Sequence, residues 1–245
     1  MKQIIAAAVI KGGTGKTTTA AALAQAAKAD GERVLAIDLD PQANLTFILS
    51  ADQNRPGSYQ LLHGAPAADV IQQTAQGIDV IAASPDLATE KTFPASAKRL
   101  QEAIGPIKKK YDWIFIDTPP QMGELTFNAL QAATGLVIPL ETDSNSLQGL
   151  YQITDIAHQM QRSNPKLFIY GVILTRYDAR AKANRYMQEV IAEKGREAGA
   201  PFLGVVRPGI AIREAQLLQK SLYEYAPNSK PAQDYKQIYK EIWEG

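Results

Sequence analysis

The chain has 245 residues, 45% of them hydrophobic, with a net charge of +1 and no cysteine. That size suits one α/β unit whose core needs no covalent staple. The missing cysteines exclude a disulfide framework, a zinc-thiolate site and a cysteine nucleophile, and the near-neutral balance confines any DNA affinity to a local patch.

The apolar run 4–10 reads as a buried strand. It is too short for a membrane span and is followed by no leader cleavage site, so the chain reads as cytoplasmic. The strand runs into Lys11-Gly12-Gly13-Thr14-Gly15-Lys16-Thr17-Thr18, and an alanine-rich helix follows at 17–29. Strand, glycine turn and helix together make a phosphate loop. Glycines let the backbone amides curl inward, and the helix start adds partial positive charge. Lys16 would reach the β- and γ-phosphates, Thr17 would ligate Mg²⁺, and Thr18 would support the α-phosphate. A glycine turn that only joins strand to helix would not need the Gly-Lys-Thr run.

A second strand at 33–38 leads into Asp38-Leu39-Asp40-Pro41-Gln42-Ala43-Asn44-Leu45-Thr46. Both carboxylates then sit at the ligand edge, although Asp-Pro by itself could simply cap a strand. Residues 50–77 hold two turn signals, Asn54-Arg55-Pro56-Gly57 and His63-Gly64-Ala65-Pro66, and read as a surface insertion with short helices. Next come a strand at 78–82, a helix at 95–110 and a strand at 113–117 ending in Asp117. A carboxylate at a strand end beside a phosphate loop is placed to hold Mg²⁺; Asp112, at the other end, reads as an exposed turn residue. Then follow a helix at 124–133, a strand at 136–140, a helix at 146–162 and a strand at 167–175. A helix at 183–198, a strand at 202–206 and a helix at 230–243 complete the chain. His63 and His158 read as structural or surface residues. Such alternation predicts a single domain, 1–245, with a mostly parallel twisted sheet and helices on both faces. Ligands are expected at the carboxyl ends of the strands.

The form Lys-Gly-Gly-x-Gly-Lys-Thr, with Ile10 where the general pattern has glycine, resembles the deviant Walker A motif of the ParA/MinD family of P-loop ATPases. Asp38-x-Asp40-Pro41-Gln42 resembles the family's switch I. Thr118-Pro119-Pro120 followed by Gly123-Glu124-Leu125-Thr126-Phe127-Asn128-Ala129-Leu130 resembles its switch II. The resemblance covers nearly the whole chain. It implies that Lys11 crosses a dimer interface to the partner's nucleotide, that Asp40 orients the attacking water, and that Asp38 supports Lys16 or the Mg²⁺ shell. Lys11, Lys16 and Asp40 are then the candidate catalytic residues, and Thr17, Asp38 and Asp117 the candidate metal set. Thr175 and Arg176 would lie near adenine, and Val206-Arg207-Pro208-Gly209 would close over the base with backbone groups. Arg176 reads equally well as a surface ion pair. The DNA-binding candidates are Arg180, Lys182, Arg185, Arg213 and Lys220; each singly is more often a solvated surface residue.

Within the family, the missing cysteines argue against nitrogenase iron protein and against cobyrinic-type synthases with a cysteine glutaminase. Tyr235, Ile238, Tyr239 and Ile242 recur at helical spacing and read as the core face of the last helix, not as the membrane tail of MinD. The end at Gly245 is expected to leave no membrane segment, and the start no room for a helix-turn-helix. The expectation is a ParA/Soj-like partition ATPase using ATP and Mg²⁺. It would dimerise on ATP binding, bind DNA non-specifically on the nucleoid, answer to a ParB-like partner and bind no membrane. A MinD-like positioning ATPase for another cargo or a membrane, and a nucleotide switch with negligible turnover, are the alternatives.

Overall fold

The computed structural model describes residues 3–88 and 97–244. Its strands are β1 (Gln3–Ala7), β2 (Val34–Asp38), β3 (Ile71–Gln73), β4 (Asp79–Ile81), β5 (Trp113–Asp117), β6 (Gly135–Leu140), β7 (Phe168–Leu174) and β8 (Phe202–Val205). They form one sheet in the order β3-β4-β2-β5-β1-β6-β7-β8. Among the described residues only the β3–β4 pair is antiparallel. β2, β5 and β6 are buried at every residue, because helices cover both faces.

One core lies under α1 (Lys16–Ala29) and α11 (Lys230–Glu244). In α1 the side chains from Thr19 to Ala27 are all buried, between the sheet on one side and α11 on the other. Alanine suits a helix squeezed from two sides, since larger side chains would overfill the gap. From α11, Tyr235, Ile238, Tyr239 and Ile242 fill the same core, each worth about 1.5–3 kcal/mol of burial. The predicted apolar stripe is therefore a core face. The second core lies on the opposite sheet face, with Leu130 of α6 (Glu124–Ala132), Leu150 and Ile153 of α7 (Ser146–Gln161) and Ile191 of α8 (Lys182–Glu197).

Four expectations from the sequence are corrected by the fold. The strand at 4–10 stops at Ala7, after which the chain turns into the glycine loop. The helix at 95–110 is α5 (Arg99–Ile104) and a separate 3₁₀ turn at Lys108–Lys110. Gly105-Pro106 divides them, because proline cannot continue the hydrogen-bond ladder; residues 95 and 96 lie outside the described residues. Segment 50–77 has the expected short helices, but it is not merely a surface insertion, since it also packs into the core. It contains α3 (Ser58–Leu62), α4 (Ala67–Val70) and β3, and buries Leu61, Leu62, Ala67 and Val70. Its strand is too short to show alternation. Asp112 is half-buried and takes the Arg33 guanidinium at 2.9 and 2.7 Å, joining the starts of β2 and β5. The short helices α2 (Asn44–Ile48), α9 (Ile210–Leu217) and α10 (Leu222–Tyr225) were also unexpected; few turns give little periodicity to read.

Candidate nucleotide site

Register alone brings the chemistry together. β5 lies between β1 and β2, so Asp117 is level with Ala7 on one side and Asp38 on the other. All three strands run the same way, and their carboxyl ends open onto the loop 8–15.

That loop is built on left-handed glycines, Gly13 at φ 80° and Gly15 at φ 91°. A side chain at Gly15 would also crowd Thr175, whose Cγ2 would lie 3.2 Å from the added carbon. The first turn of α1 has neither a side-chain cap nor an acidic residue, so its amides and partial positive charge are left for an anion. Thr14 is buried, and among the described residues its hydroxyl has no hydrogen-bond partner.

Lys16 is buried, and its amino group donates to Lys11 O at 2.8 Å. Burial lowers its pKa, while Asp117 and Asp40 pull the other way. Lys11 is only partly exposed and pairs with Asp143. Desolvation works to raise the Asp143 carboxyl, but Lys11, Asn145 N and Ser146 together hold it below the usual range. No local pattern points to Asp143, because 132 residues separate the pair.

The three carboxylates differ. Asp38 is fully buried and accepts three bonds: Asp40 N at 3.0 Å, Thr46 N at 2.8 Å and Thr46 Oγ1 at 2.8 Å. Its carboxyl is pushed up to about 6, chiefly by burial, with those donors opposing. Ser58 Oγ also donates to Asp38 O at 2.5 Å, so the supposed insertion clamps this strand end. Asp38 thus orders the switch, and its oxygens are spent on Asp40 and Thr46. Asp117, also fully buried, accepts Thr118 N through Oδ1 at 3.1 Å, while among the described residues its Oδ2 has no partner within hydrogen-bond geometry, though the Thr17 hydroxyl lies close enough to lower its carboxyl. Burial and then Asp38 push its carboxyl well up; Thr17 and Lys16 counter this. Asp117 therefore has the free oxygen that Asp38 lacks. Asp40 accepts Gln42 N at 3.0 Å and lines an open cleft of about 650 Å³ beside Pro119, Pro120 and Glu124. Within this segment Ala43 adopts φ 53°, a left-handed conformation that costs a non-glycine residue energy.

On the other side of the loop, Thr175 is buried and donates to Thr14 O at 2.8 Å, so it props the loop from beneath. Arg176 points to Glu141, 2.8 Å away, as an exposed ion pair. Arg207 pairs with Asp234, and Pro208 and Gly209 are exposed at the tip of that loop. Arg180, Lys182 and Arg185 gather at the start of α8. Arg180 pairs with Asp178, holding that carboxyl at about 2, and Arg185 donates to Ala179 O. Arg213, exposed on α9, borders Thr17 and Thr18, and Lys220 is exposed just beyond α9. The basic candidates thus form two groups on different elements.

Comparison with known proteins agrees with this geometry. A family model described as an AAA domain matches residues 2–169. The chain is 34% identical to the chromosome-partitioning ATPase Soj of Thermus thermophilus, over 97% of this chain and 94% of that protein. It is 35% identical to the chromosome partitioning protein ParA of Caulobacter vibrioides, over 98% and 93%. Among solved structures, the septum site-determining protein MinD of Pyrococcus horikoshii, complexed with Mg-ADP, superposes with a TM-score of 0.81 at 27% identity, covering 99% of this chain and 96% of that one. Cobyrinic acid a,c-diamide synthase of Mycobacterium smegmatis, with bound ADP and magnesium, gives 0.83 at 28% identity, over 99% and 94%. That chain has much the same extent as this one, so the missing glutaminase domain does not separate the two; the curated relatives do. With its phosphate loop, its edge carboxylates and relatives matched along almost their full length, the chain belongs to the Soj/ParA family of P-loop partitioning ATPases.

Proposed function

We propose that this chain is a DNA-partition ATPase that binds ATP with Mg²⁺, pairs face to face with a second copy, and then holds DNA non-specifically. The observation that carries this reading is the convergence of an uncapped helix start, Lys16 and a buried carboxylate with a free oxygen on one strand edge. The donor set fits Mg²⁺. Among the described residues no three carboxylates or imidazoles form a cage of their own. Mg²⁺ needs none, since one or two carboxylates, phosphate oxygens and waters complete its octahedron. Thr17 and Asp117 are the residues that would hold it. When bound, it would neutralise charge on the terminal phosphates.

The chain's own residues do the rest. Lys16, now on a backbone carbonyl, turns to phosphate, which keeps its amine charged despite burial. Asp40, kept in place by Asp38, orients the attacking water at the mouth of the cleft. Lys11 leaves Asp143 to reach the nucleotide of the second copy. Lys182, Arg185, Arg213 and Lys220 bind DNA phosphates, with Arg180 partly neutralised by Asp178. A ParB-like partner triggers hydrolysis, and the protein resides on the nucleoid in the cytoplasm. The buried face of α11 disfavours the MinD-like membrane alternative, and among the described residues no helix is long and apolar enough to cross a membrane.

Size-exclusion chromatography with light scattering, with and without ATP and DNA, tests the reading. Wild type should dimerise with ATP and then co-elute with DNA at low salt. Lys11→Ala should stay monomeric; normal dimerisation by that variant would remove Lys11 from the interface. Replacing a basic residue that neutralises one DNA phosphate should flatten the log–log salt dependence by about 0.9. Liposome binding without DNA binding would sink the partition reading.

A further inference from the structure

Two adjacent side chains of the C-terminal helix reach towards the nucleotide edge. Tyr235 places its buried hydroxyl 3.1 Å from Thr19 Oγ1, and Thr19 N donates to Gly15 O at 2.8 Å. This ties α11 to the phosphate-loop end of α1. Asp234 holds the loop 206–209. Its carboxylate accepts Arg207 N at 2.8 Å, Nε at 2.9 Å and Nη2 at 2.6 Å, and only 12% of its side-chain surface is exposed. At Gly209 an added carbon would lie 2.9 Å from the Pro231 ring, so the loop rests directly on the first turn of α11.

The same loop is tied to the phosphate loop. Val206 N donates to Leu174 O at 2.7 Å, and Tyr177 N to Val206 O at 2.9 Å. Thr175, two residues before Tyr177, bonds Thr14 O. Loop 206–209 therefore lies beside the phosphate loop on the β7–β8 side. Asp38, Asp40 and Asp117 lie on the β2–β5 side. A nucleotide whose last phosphate faces the carboxylates must extend its base towards β7 and β8.

We infer that Asp234 is a positioning residue for nucleobase recognition: it fixes the base-facing loop 206–209 to the C-terminal helix and so sets affinity and selectivity for the base. The inference rests on the ATP-binding reading above. Its distinctive feature is a bond from the Arg207 backbone as well as from its side chain. Arg207→Ala removes the guanidinium bonds but keeps the backbone one; Asp234→Ala removes both.

Calorimetry with Mg²⁺ and ATP, GTP or inorganic tripolyphosphate separates the possibilities, because tripolyphosphate has no base. Asp234→Ala should weaken ATP about tenfold and narrow the ATP-over-GTP preference, with Arg207→Ala in between. Tripolyphosphate affinity should stay within about twofold of wild type, because that ligand has no base for the loop to hold. If Asp234→Ala leaves ATP affinity unchanged, or weakens ATP and tripolyphosphate alike, the inference is overturned while the ATPase reading stands. Wild type that binds neither ligand overturns both. Should Asp234→Ala fail to fold, Asp234→Asn keeps an oxygen for the amide, and the same comparison applies with a smaller expected effect.

Discussion

The two sides of the phosphate loop are built on opposite plans. Towards β2 and β5, Lys16, Asp38, Asp40 and Asp117 are all buried, and the carboxylates crowd one another. Towards β7 and β8, Arg176, Arg180 and Arg207 each meet one acid, Glu141, Asp178 and Asp234, at or near the surface. The buried side holds like charges together at a cost that a bound cation would relieve. The other side holds opposite charges in pairs: Arg176–Glu141 and Arg180–Asp178 open to water that screens them, and Arg207–Asp234 with its acid nearly buried. Chemistry belongs on the first side, where low dielectric magnifies each charge. The proposed contacts with base and DNA would fall on the second.

Lys16→Ala would break this contrast most severely. It removes the buried cation that faces the carboxylates, and nucleotide binding or turnover should fall by at least about a hundredfold. Persistent turnover would place the chemistry elsewhere. Asp40→Ala comes next. Single-turnover hydrolysis should slow about a hundredfold or more with ATP binding retained; unchanged hydrolysis would take Asp40 out of the mechanism and favour a switch with negligible turnover.

A smaller effect probes the buried carboxylates. The Asp38 carboxyl rises from 3.8 to about 6 on folding, so the folded state binds its proton more tightly than the unfolded one. Its contribution to stability is largest below about pH 4, declines as pH rises to about 6, and is level above. Asp38→Asn cannot titrate. In the absence of nucleotide and Mg²⁺, its melting temperature relative to wild type should therefore climb between those pH values. A gap that does not vary with pH would show that Asp38 is not strained by burial. The smallest effect is at Ala43. Ala43→Gly relieves the left-handed strain at a cost in unfolded-chain entropy, and should raise stability by about 0.5–1 kcal/mol in urea denaturation.

The buried side was largely legible before the fold was known. Lys16, Thr17 and Asp117 occupy positions that local pattern can mark: a glycine loop between strand and helix, and an acid ending an apolar strand. The exposed side was not. Arg176 reads equally as a surface ion pair, which it forms, but no local pattern could name the acids that Arg176 and Arg207 meet, 35 and 27 residues away. Thr46 stood in the Asp38–Thr46 run without a role, because its bonds to Asp38 exist only once α2 folds back onto β2.

By itself the sequence determined the alternation of strands and helices, the phosphate loop and the identity of the carboxylates. These follow from periodicity and from residue types that few other structures need. The tertiary structure decided how the parts are coupled. Strand register set Asp38 level with Asp117, segment 50–77 became a clamp on Asp38, Asp143 captured Lys11, and Asp234 captured Arg207. Each joins residues far apart along the chain, and local pattern carries no record of which distant partner packing will supply.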